Sequence, residues 1–393
     1  MKANLVAIKD CVVKAKTWNP VVEAKDETIT YIDIAAVDKD LKKIVEPTLC
    51  LGAEAPSRAR QLVQTNDVLV STVRPNLNSV AVVPQEFSGA TASTGYTVLR
   101  PLPEVLDTQY LFHWVKTDHF INEMIKLATG QSYPAVSDKI ILNSKIPLPP
   151  FAEQRRIAAI LDKADSLRQK RQQAIEKLDQ LLQATFIDMF GDPVSNPKGW
   201  QVKSIDEICS NIVDCVNKTA PIVEYETPYK MIRTTNVRNH KVDISSVRYV
   251  EKETFDKWNR RLTPQRGDVI LTREAPVGEV GILESDDSVF LGQRLMLYRV
   301  NLELTTPEYL LYFLMSDNLK IQYEQMSSGS TVKHLSVPQC SKWDIYLPPV
   351  ELQLKFSEFY RMIHANLEVM RISYNKADTL FKSLQNQAFN GTL

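Results

Sequence analysis

A long segment of this chain occurs twice. The segment IPLPPFAEQRRIAAILDKAD begins at Ile146, and its second version, IYLPPVELQLKFSEFYRMIH, begins at Ile345. One constant offset, without an insertion, carries Ile146 onto Ile345 and Phe190 onto Phe389. A period this long is not that of short stacking repeats. The sequence therefore predicts two copies of one unit, each a globular head followed by a long helix.

Each head combines short β-like runs with one helical stretch. In the first head TITYIDIAAV, DVLVSTV and NSVAVVP precede a helical stretch from about Thr108 to Leu127, and in the second VRYV, DVILTR and EVGILE precede one from about Pro307 to Met326. This mixture predicts an α+β fold class with two mixed α/β domains. The predicted organisation is a first domain at 1–150, a first long helix at 151–190, a second domain at 191–350 and a second long helix at 351–393.

Both long helices carry apolar residues at heptad spacing. An amphipathic helix packed on its own domain is the alternative for either helix taken alone. Because two equal helices occur in equivalent places, we expect them to form a two-helix coiled coil, which is antiparallel because no long return loop is present. Each would extend about 54 Å at ~1.5 Å per residue, in a dumbbell with approximate two-fold symmetry. The stripes predicted to face the partner include Ile157, Leu167 and Leu181 in the first helix and Phe356, Met370 and Leu380 in the second, flanked by Leu161, Ile175, Leu182, Tyr360, Leu367 and Phe381.

The charge of the chain is balanced overall but not locally. With 47 Lys+Arg and 47 Asp+Glu the net charge is zero, which by itself counts against nucleic acid as a partner. Residues 229–273, however, carry eleven basic against five acidic side chains, and residues 56–100 carry four against two. A localised basic face is one interpretation, and ordinary surface lysines are the other.

Motifs for catalysis are missing from the sequence. There is no GxxxxGK[ST] loop, no GxGxxG, no NPP[YF] and no HExxH, and a nuclease-like set of Asp10, Glu23 and Lys25 is expected by chance. The five cysteines form no CxxC pair, which is typical of reduced thiols. No apolar run is long enough for a membrane span, and the N-terminus lacks a signal-peptide core. We expect a cytoplasmic binding protein or scaffold with no membrane association.

Donor-rich segments in both heads are the candidate DNA-binding residues. Arg reads guanine and Asn or Gln reads adenine through paired hydrogen bonds, whereas Lys, Ser and Thr mostly hold phosphates. An ordinary polar loop is the alternative for each segment, and a structural ion pair with Glu274 or Glu279 is the alternative for Arg273 or Arg294. The candidates in the first head are Arg58, Arg60, Arg74, Asn76, Asn78, Thr94, Tyr96, Gln131, Ser132 and Tyr133. Those in the second are Arg233, Thr234, Thr235, Asn236, Arg238, Arg260, Arg273, Gln293, Arg294, Ser330, Thr331, Lys333 and His334.

The repeat boundaries carry the motifs of a known family. These motifs are LPPFAEQRRIAAILDKAD with its second version LPPVELQLKFSEFYRMI, then QLLQATFIDMFGDP, NPKGW and TGQSYPAVS. With them the chain resembles, over its whole length, the specificity subunits of type I restriction–modification systems. The resemblance implies two target recognition domains, each of which reads one half of a bipartite sequence in double-stranded DNA, separated by two conserved helices.

The partners of this chain also follow from the resemblance. It implies that the helices dock two methyltransferase subunits, which use S-adenosylmethionine, and that a larger assembly adds restriction subunits, which use ATP and Mg²⁺. No cofactor and no catalytic residue is expected in this chain itself. The second helix departs from the family pattern, with VELQ from Val350 in place of FAEQ from Phe151, so its docking surface is expected to differ. A coiled-coil scaffold whose heads bind proteins is the alternative.

Overall fold

The computed structural model describes residues 4–326 and 335–393. The chain forms two compact units. Unit 1 consists of Met1–Gln172 and Ile372–Leu393, and unit 2 consists of Gln173–Arg371. Each unit therefore contains one globular head together with parts of both long helices. In the part of the chain that is described, no helix combines the length and apolar character that a membrane span needs.

The elements up to the end of the first long helix alternate short strands with few helices. The strands are β1 (Asn4–Ala7), β2 (Val12–Lys14), β3 (Lys16–Thr17), β4 (Thr28–Ile32), β5 (Val37–Asp38), β6 (Lys43–Ile44), β7 (Thr48–Leu51), β8 (Ala59–Leu62), β9 (Val68–Ser71), β10 (Val80–Val82), β11 (Thr91–Ser93), β12 (Tyr96–Pro101) and β13 (Lys145–Leu148). The helices are α1 (Pro20–Glu23), α2 (Thr108–Val115), α3 (Asp118–Leu127), α4 (Asp138–Asn143) and α5 (Phe151–Phe190).

The elements that follow repeat the last part of this order, in which a sheet strand is followed by three short helices, one more strand and a long helix. The strands are β14 (Gln201–Ser204), β15 (Cys209–Asp214), β16 (Lys230–Ile232), β17 (Val237–Arg238), β18 (His240–Val242), β19 (Arg248–Tyr249), β20 (Val269–Thr272), β21 (Val280–Ile282), β22 (Val289–Leu291), β23 (Leu295–Val300) and β24 (Asp344–Leu347). The helices are α6 (Ile205–Ile208), α7 (Lys252–Trp258), α8 (Pro307–Met315), α9 (Asp317–Met326), α10 (Val337–Cys340) and α11 (Val350–Asn390).

The head of unit 1 is built on two main sheets. Their strand orders are β10-β9-β12-β2 and β3-β8-β11-β4-β7, and most neighbours are antiparallel, with β4 and β11 parallel. The residues of β9 are buried throughout, as expected for a central strand covered on both faces. Helices α2 and α3 pack on the first sheet through Leu111, Trp114 and Phe120.

The head of unit 2 has the same kind of sheet structure. A sheet of order β15-β23-β20-β21-β18-β17 is joined by a smaller one of order β19-β16-β22, in which β16 and β22 are parallel. The strand β20 is buried throughout, like β9 in unit 1. Both heads are therefore mixed α/β domains, as the sequence predicts.

The helical stretch predicted in each head is a pair of short helices. In unit 1 Thr117 ends α2 and starts α3, because its hydroxyl donates to the Trp114 carbonyl (2.7 Å) and accepts from the Phe120 amide (3.2 Å). Ser316 makes the same bond to the Phe313 carbonyl (2.6 Å) between α8 and α9. The prediction of one uninterrupted stretch missed this break, since hydroxyl caps interrupt a helix without changing its apolar periodicity.

The long helices contact each other inside each unit. In unit 1 Arg168 of α5 pairs with Asp378 of α11 (3.1 Å), and Arg171 donates to Ser373 (2.8 Å). In unit 2 Asp179 lies 3.9 Å from Arg371, and the rings of Phe186 and Phe356 are 5.4 Å apart. Because partner numbers fall along α11 as they rise along α5, the two helices run antiparallel within each unit.

The buried stripe of the helices matches the predicted one only in part, since Ile157 and Phe356 are buried but other members are not. Leu167, Leu181 and Leu380 are about half exposed (48%, 45% and 57%), whereas Leu161 and Leu182 are fully buried. Leu161 and Leu182, which were predicted to flank the contact between the helices, are therefore among its buried residues. Each helix also packs on a head, and a heptad pattern alone does not show which neighbouring stripe faces which neighbour.

One glutamine fixes each long helix to its head. Gln154 is 1% exposed, and its side-chain nitrogen donates to the carbonyls of Val105 (2.9 Å) and Pro149 (3.0 Å), while its oxygen accepts from the Asp107 amide (2.9 Å). Gln353 repeats these bonds in unit 2, with Leu304, Pro348 and Thr306 as its partners. The repeated glutamine therefore forms an equivalent set of buried hydrogen bonds in each unit.

Candidate nucleic-acid interface

The candidate residues of the first head gather at one end of its first sheet. Strand β9 ends where its antiparallel neighbour β12 begins, so the segments after Ser71 and before Tyr96 share one edge. The Thr72 amide and hydroxyl both donate to the Gly95 carbonyl at 2.9 Å. This pairing brings Thr94 close to the segment that carries Arg74 and Asn76.

The loop from Thr129 to Ala135 adds exposed polar groups at the same edge. Its two end residues exchange backbone hydrogen bonds of 2.9 Å, and the Arg74 amide donates to Pro134 at 2.7 Å. The Arg74 guanidinium lies 4.7 Å from the ring centre of Tyr133, which is 69% exposed. A ring that holds a guanidinium this way limits its rotation without neutralising its charge. Asn76, Gln131 and Ser132 are also exposed.

A cavity of about 760 Å³ next to this edge contains basic residues that the sequence did not single out. Thr94 and Gln61 line it together with Lys9, Lys14 and Lys139. Thr94 is held in place because its amide donates to the carbonyl of the exposed Arg58 (2.8 Å). Lys9 and Lys14 lie close together in the chain, whereas Lys139 of α4 is distant in sequence and joins them only in the folded head.

Three candidates of the first head have structural roles. The Tyr96 ring is fully buried, and its hydroxyl donates to the Asp33 carbonyl (2.9 Å), so the prediction that it contacts DNA is corrected. Asn78, in the left-handed region (φ 46°), donates its amide to the Val115 carbonyl (2.8 Å). Arg60 is half-buried and donates to the Ala59 carbonyl (2.8 Å).

The half-buried lysine beside Asn78 was not predicted. The Lys42 ammonium donates to both the backbone oxygen of Asn78 (2.5 Å) and its side-chain oxygen (3.1 Å). Burial, with a contribution from Lys116, lowers the pKa of Lys42 to about 8. The side-chain amide of Asn78 therefore already forms hydrogen bonds within the head, through its nitrogen to Val115 and through its oxygen to Lys42.

The second head has a polar cleft at the matching end of its larger sheet. Strand β20 ends and β23 begins at this edge, where the Arg273 amide donates to the Arg294 carbonyl (2.8 Å). The cleft has a volume of about 290 Å³. Its lining residues are Asp214, Asn217, Arg273, Glu274, Gln293, Arg294 and Val337.

The two candidate arginines of this cleft differ in exposure. Arg273 is 8% exposed, and its guanidinium donates to the Leu335 carbonyl (3.1 Å) and contacts the Cys215 sulfur (3.8 Å). The Arg294 side chain is 54% exposed, and its Nε lies 2.9 Å from a carboxylate oxygen of Glu274. Arg294 can reach a ligand outside the protein, whereas Arg273 as placed supports the fold.

The donor run from Arg233 to Arg238 is divided between the interior and the surface. Asn236 is fully buried, and its amide donates to the carbonyls of Asp243 (2.9 Å) and Ser246 (3.1 Å), so the prediction that it contacts DNA is corrected. The Arg233 guanidinium contacts the same Ser246 carbonyl at 3.4 Å. Thr234 donates to the Ala275 carbonyl (3.2 Å), next to the cleft. Thr235 and Arg238 of this run are exposed, and so are the separate candidates Arg260 and Gln293.

The edges of the two heads are built alike. The Val136 amide donates to the Thr72 carbonyl (2.9 Å) in the first head, and the Leu335 amide donates to the Arg273 carbonyl (3.1 Å) in the second. The repeat offset carries Val136 onto Leu335. The remaining candidates of the second head, Ser330, Thr331, Lys333 and His334, lie outside the described residues.

Much of the basic excess in residues 229–273 is neutralised by acids from elsewhere in the second head and α11. The pairs include Lys230–Asp287 (2.6 Å), Lys241–Glu368 (2.6 Å), Arg261–Asp214 (2.6 Å) and Arg266–Asp286 (2.8 Å). At the sheet edge itself, Arg294 is exposed but also has an acidic partner, Glu274 (2.9 Å). A count along the sequence therefore overstates the charge that a ligand would meet. Within residues 4–326 and 335–393 no group of three or more His, Cys, Asp or Glu is arranged to hold a metal ion.

Comparison with known proteins identifies relatives of both heads. The chain is 26% identical over 350 residues to the type I restriction enzyme MjaVIII specificity subunit of Methanocaldococcus jannaschii, covering 84% of this chain and 80% of that protein. It is 21% identical over 290 residues to the EcoBI specificity subunit of Escherichia coli, covering 66% and 60%.

Solved structures share the fold of the whole chain. A chain from a study of complex assembly and conformational transition of the type I R-M system is 25% identical, with a TM-score of 0.55 and 99% of this chain and 98% of that chain covered. The S subunit of a type I restriction–modification system from M. genitalium is 14% identical, with a TM-score of 0.58 and 98% and 96% covered. The latter similarity concerns the fold alone.

The family model of the type I restriction modification DNA specificity domain matches residues 56–177 and 197–370. The two matches cover more than half of the chain, and each includes a sheet edge described above. The chain therefore belongs to the family of type I restriction modification DNA specificity domains.

Proposed function

We propose that this chain is the specificity subunit of a type I restriction–modification complex in the cytoplasm and that it binds double-stranded DNA. The observation that carries the proposal is the pair of family matches, one on each head. It favours DNA recognition over a scaffold whose heads bind proteins, because the matched family is described by its DNA specificity.

Each head, as a target recognition domain, reads one half of a bipartite site. The sheet edges of the two heads support this reading, since equivalent backbone bonds position different side chains. The first edge presents Arg74, Thr94 and Gln131, whereas the second presents Gln293 and Arg294. Base edges are distinguished by such donors and acceptors, so two different edges imply two different half-sites.

The two long helices form an antiparallel coiled coil that sets the unread gap and docks two methyltransferase subunits. Their exposed apolar residues are the candidates for the docking surface, because contiguous apolar patches on a protein surface mark interaction sites. These residues are Leu167, Leu181 and Ile187 in α5 and Met362, Val369, Met370, Ile372 and Leu380 in α11. A larger assembly would add restriction subunits.

The chemistry of the complex belongs to the partners. The methyltransferase subunits would bind S-adenosylmethionine, and the restriction subunits would bind ATP and Mg²⁺. This chain contributes recognition and no catalytic group. Methyl transfer or cleavage by the rigorously purified chain alone would contradict the assignment.

Mapping of methylated bases in the host tests the proposal directly. Deletion of this gene should abolish methylation at one bipartite sequence, and complementation should restore it. Exchange of residues 1–150 for the head of a relative should change one half of that sequence and leave the other unchanged. A simultaneous change of both halves would contradict the assignment of one reader to each head. A complex whose DNA affinity did not fall with salt would contradict DNA binding itself, because neutralised phosphates release counterions.

A further inference from the structure

The cavity of about 760 Å³ in the first head lies at the end strands of both main sheets. Strand β2 ends the first sheet and β3 ends the second, and residues of both line the cavity together with α4. Its inner side is aliphatic, with buried Val98 and half-buried Leu142. Its exposed side carries Lys9, Lys14 and Lys139, and we call it the lysine cavity. An aliphatic surface edged by ammonium groups suits a ligand that is anionic on one side and apolar on the other.

The charge of the lysine cavity is not neutralised within the head. None of its three lysines has an acidic partner among the described residues. The carboxylate in its lining, Asp138, accepts a hydrogen bond from the Thr97 hydroxyl (2.6 Å). A charged side chain on an end strand such as β2 commonly prevents the addition of a further strand, but Lys9 and Lys139 come from other elements. Protection of the sheet edge therefore does not explain the cluster.

The second head has a closed ion pair at the equivalent position. The register of β1 on β13 and that of β14 on β24 carry Lys9 onto Asp206. The repeat offset carries Asn143, which lines the lysine cavity, onto Lys342. Asp206 and Lys342 form an ion pair with each other. The position that offers an unpaired cation in the first head is therefore neutralised in the second.

The other two lysines correspond to apolar residues in the second head. The register of β2 on β12 and that of β15 on β23 carry Lys14 onto Ile212. The repeat offset carries Lys139 onto Pro338. The lysine cavity is therefore a property of the first head and not of the duplicated fold.

Thr94 connects the lysine cavity to the sheet edge that carries the candidate DNA-binding residues. Its side of the cavity is fixed because its amide donates to the Arg58 carbonyl (2.8 Å), and the neighbouring Gly95 carbonyl accepts from the Thr72 amide (2.9 Å). A DNA strand that passes the edge at Thr94 would continue over the cavity, where its phosphates meet the ammonium groups. This continuity favours DNA over an acidic peptide as the ligand.

We propose that the lysine cavity binds the sugar–phosphate backbone of DNA next to the half-site of the first head. Lys9, Lys14 and Lys139 contact phosphates, and the deoxyribose lies towards the aliphatic side. The inference rests on the proposed DNA binding and deepens it, because the first head gains backbone contacts that the second lacks. Phosphate contacts carry no base information, so the cavity strengthens binding without selecting a sequence.

A triple variant, Lys9→Gln with Lys14→Gln and Lys139→Gln, tests the proposal in the assembled methyltransferase complex. Its affinity for the mapped site is measured over a range of salt concentrations. The slope of log K against log salt should become shallower by about 2 to 3, since each lost phosphate contact removes about 0.9. Such a contact loses its effect near 1 M salt, so each lysine should account for about five-fold in affinity at about 0.15 M. The preference among single-base variants of the site should not change.

Three exposed lysines of the same head that lie outside the cavity provide the matched control. Lys25→Gln, Lys39→Gln and Lys43→Gln remove the same charge and should leave the slope near its wild-type value. Replacement of the three cavity lysines by arginine keeps the charge and should also keep the slope. An equal loss of slope in the control variant would overturn the proposal, because it would show an effect of net charge alone.

DNA with single uncharged methylphosphonate linkages locates the contacts. In the wild-type complex two or three linkages beside the first half-site should each weaken binding about five-fold, and the same linkages should cost little in the triple variant. Linkage effects that persist in the triple variant would overturn the proposal. So would an altered base preference, or a loss of the methyltransferase subunits with an unchanged slope, which would indicate a protein ligand.

Failure of this inference differs from failure of the proposed function. A wild-type complex that binds its mapped site with steep salt dependence, while the triple variant has the same slope, would overturn the lysine cavity alone. A wild-type complex that does not bind DNA would refute both.

Discussion

Arg294 provides the sharpest test of the second head as a DNA reader. Its side chain is 54% exposed and its ion pair with Glu274 is at the surface, so the pair contributes little to the free energy of unfolding. A guanidinium that contacts guanine through two hydrogen bonds is worth about 1–3 kcal/mol of discrimination, or roughly 5- to 150-fold. Arg294→Lys keeps the charge but loses the planar pair of donors. We therefore expect the variant to keep its salt dependence and lose selectivity at one base pair.

Arg273 is the matched comparison, since its amide is bonded to the Arg294 carbonyl (2.8 Å) while its guanidinium is buried. Arg273→Lys removes the bond to the Leu335 carbonyl (3.1 Å) and leaves that buried acceptor without its donor. The expected cost is about 1–3 kcal/mol in the free energy of unfolding. A decrease in melting temperature with unchanged base preference is the expected result for this variant.

Binding titrations of the assembled methyltransferase complex decide between the two roles. Each variant is measured against the mapped site and its single-base variants at two salt concentrations. Unchanged affinity and base preference in Arg294→Lys would remove Arg294 from the reader. A uniform loss over all sequences in an Arg294→Ala variant, with a flatter salt slope, would identify a phosphate contact instead.

Three further predictions concern the helices and the buried polar groups. Insertion of seven residues after Gln180 and seven after Met370 adds about 10.5 Å to each helix. The two positions lie opposite each other beside the Asp179–Arg371 contact, so the unread gap should lengthen by about three base pairs without a change in the half-sites. An unchanged gap in methylation mapping would show that the helices do not set it. Gln154→Leu and Gln353→Leu should each cost about 3 kcal/mol in urea unfolding. Gln154→Leu leaves one amide and two carbonyls unpaired, and Gln353→Leu also removes the acceptor of the Thr305 hydroxyl. Losses below about 1 kcal/mol would contradict the anchoring role. Burial, with Arg371 and His364 nearby, lowers the pKa of His240 to about 4, below its unfolded value of about 6.5. The free energy of unfolding should therefore be highest above pH ~6.5 and about 2 kcal/mol lower at pH 5. His240→Asn, which suits the φ of 67°, should flatten that pH dependence, and an equal slope would refute the assignment.

The sequence predicted those features that depend on local periodicity or on the repeat. The mixed α/β character of both heads follows from short β-like runs, and the long helices follow from an apolar pattern that continues after Pro150 and Pro349. These predictions needed only patterns within one segment or its copy.

The burial of individual side chains could not be predicted from such local patterns. Tyr96 and Asn236 stand in donor-rich segments, yet one is core and the other closes a turn. The cluster of Lys9, Lys14 and Lys139 was missed because Lys139 comes from a distant segment that meets the other two only in the folded head. Composition states what a segment can offer, but packing decides which side chains face solvent.

The two heads separate the contacts that maintain the fold from the residues proposed to read DNA. A buried aspartate begins the central strand of each, with Asp67 paired to Arg100 and Asp268 paired to Arg299, both at 2.8 Å. Both aspartates are 1% exposed, so loss of either partner would leave a buried charge unpaired.

The opposite ends of the same strands carry different residues in the two heads, with Thr94-Gly95 at one edge and Gln293-Arg294 at the other. The backbone bonds there, Thr72 to Gly95 and Arg273 to Arg294, position side chains without depending on their identity. Substitutions of exposed side chains at the sheet edge, such as Thr94 and Arg294, therefore change what the head presents while the buried pairs and the glutamine anchors stay intact. A chain built this way can acquire two different half-site specificities on one fold without losing stability in either head.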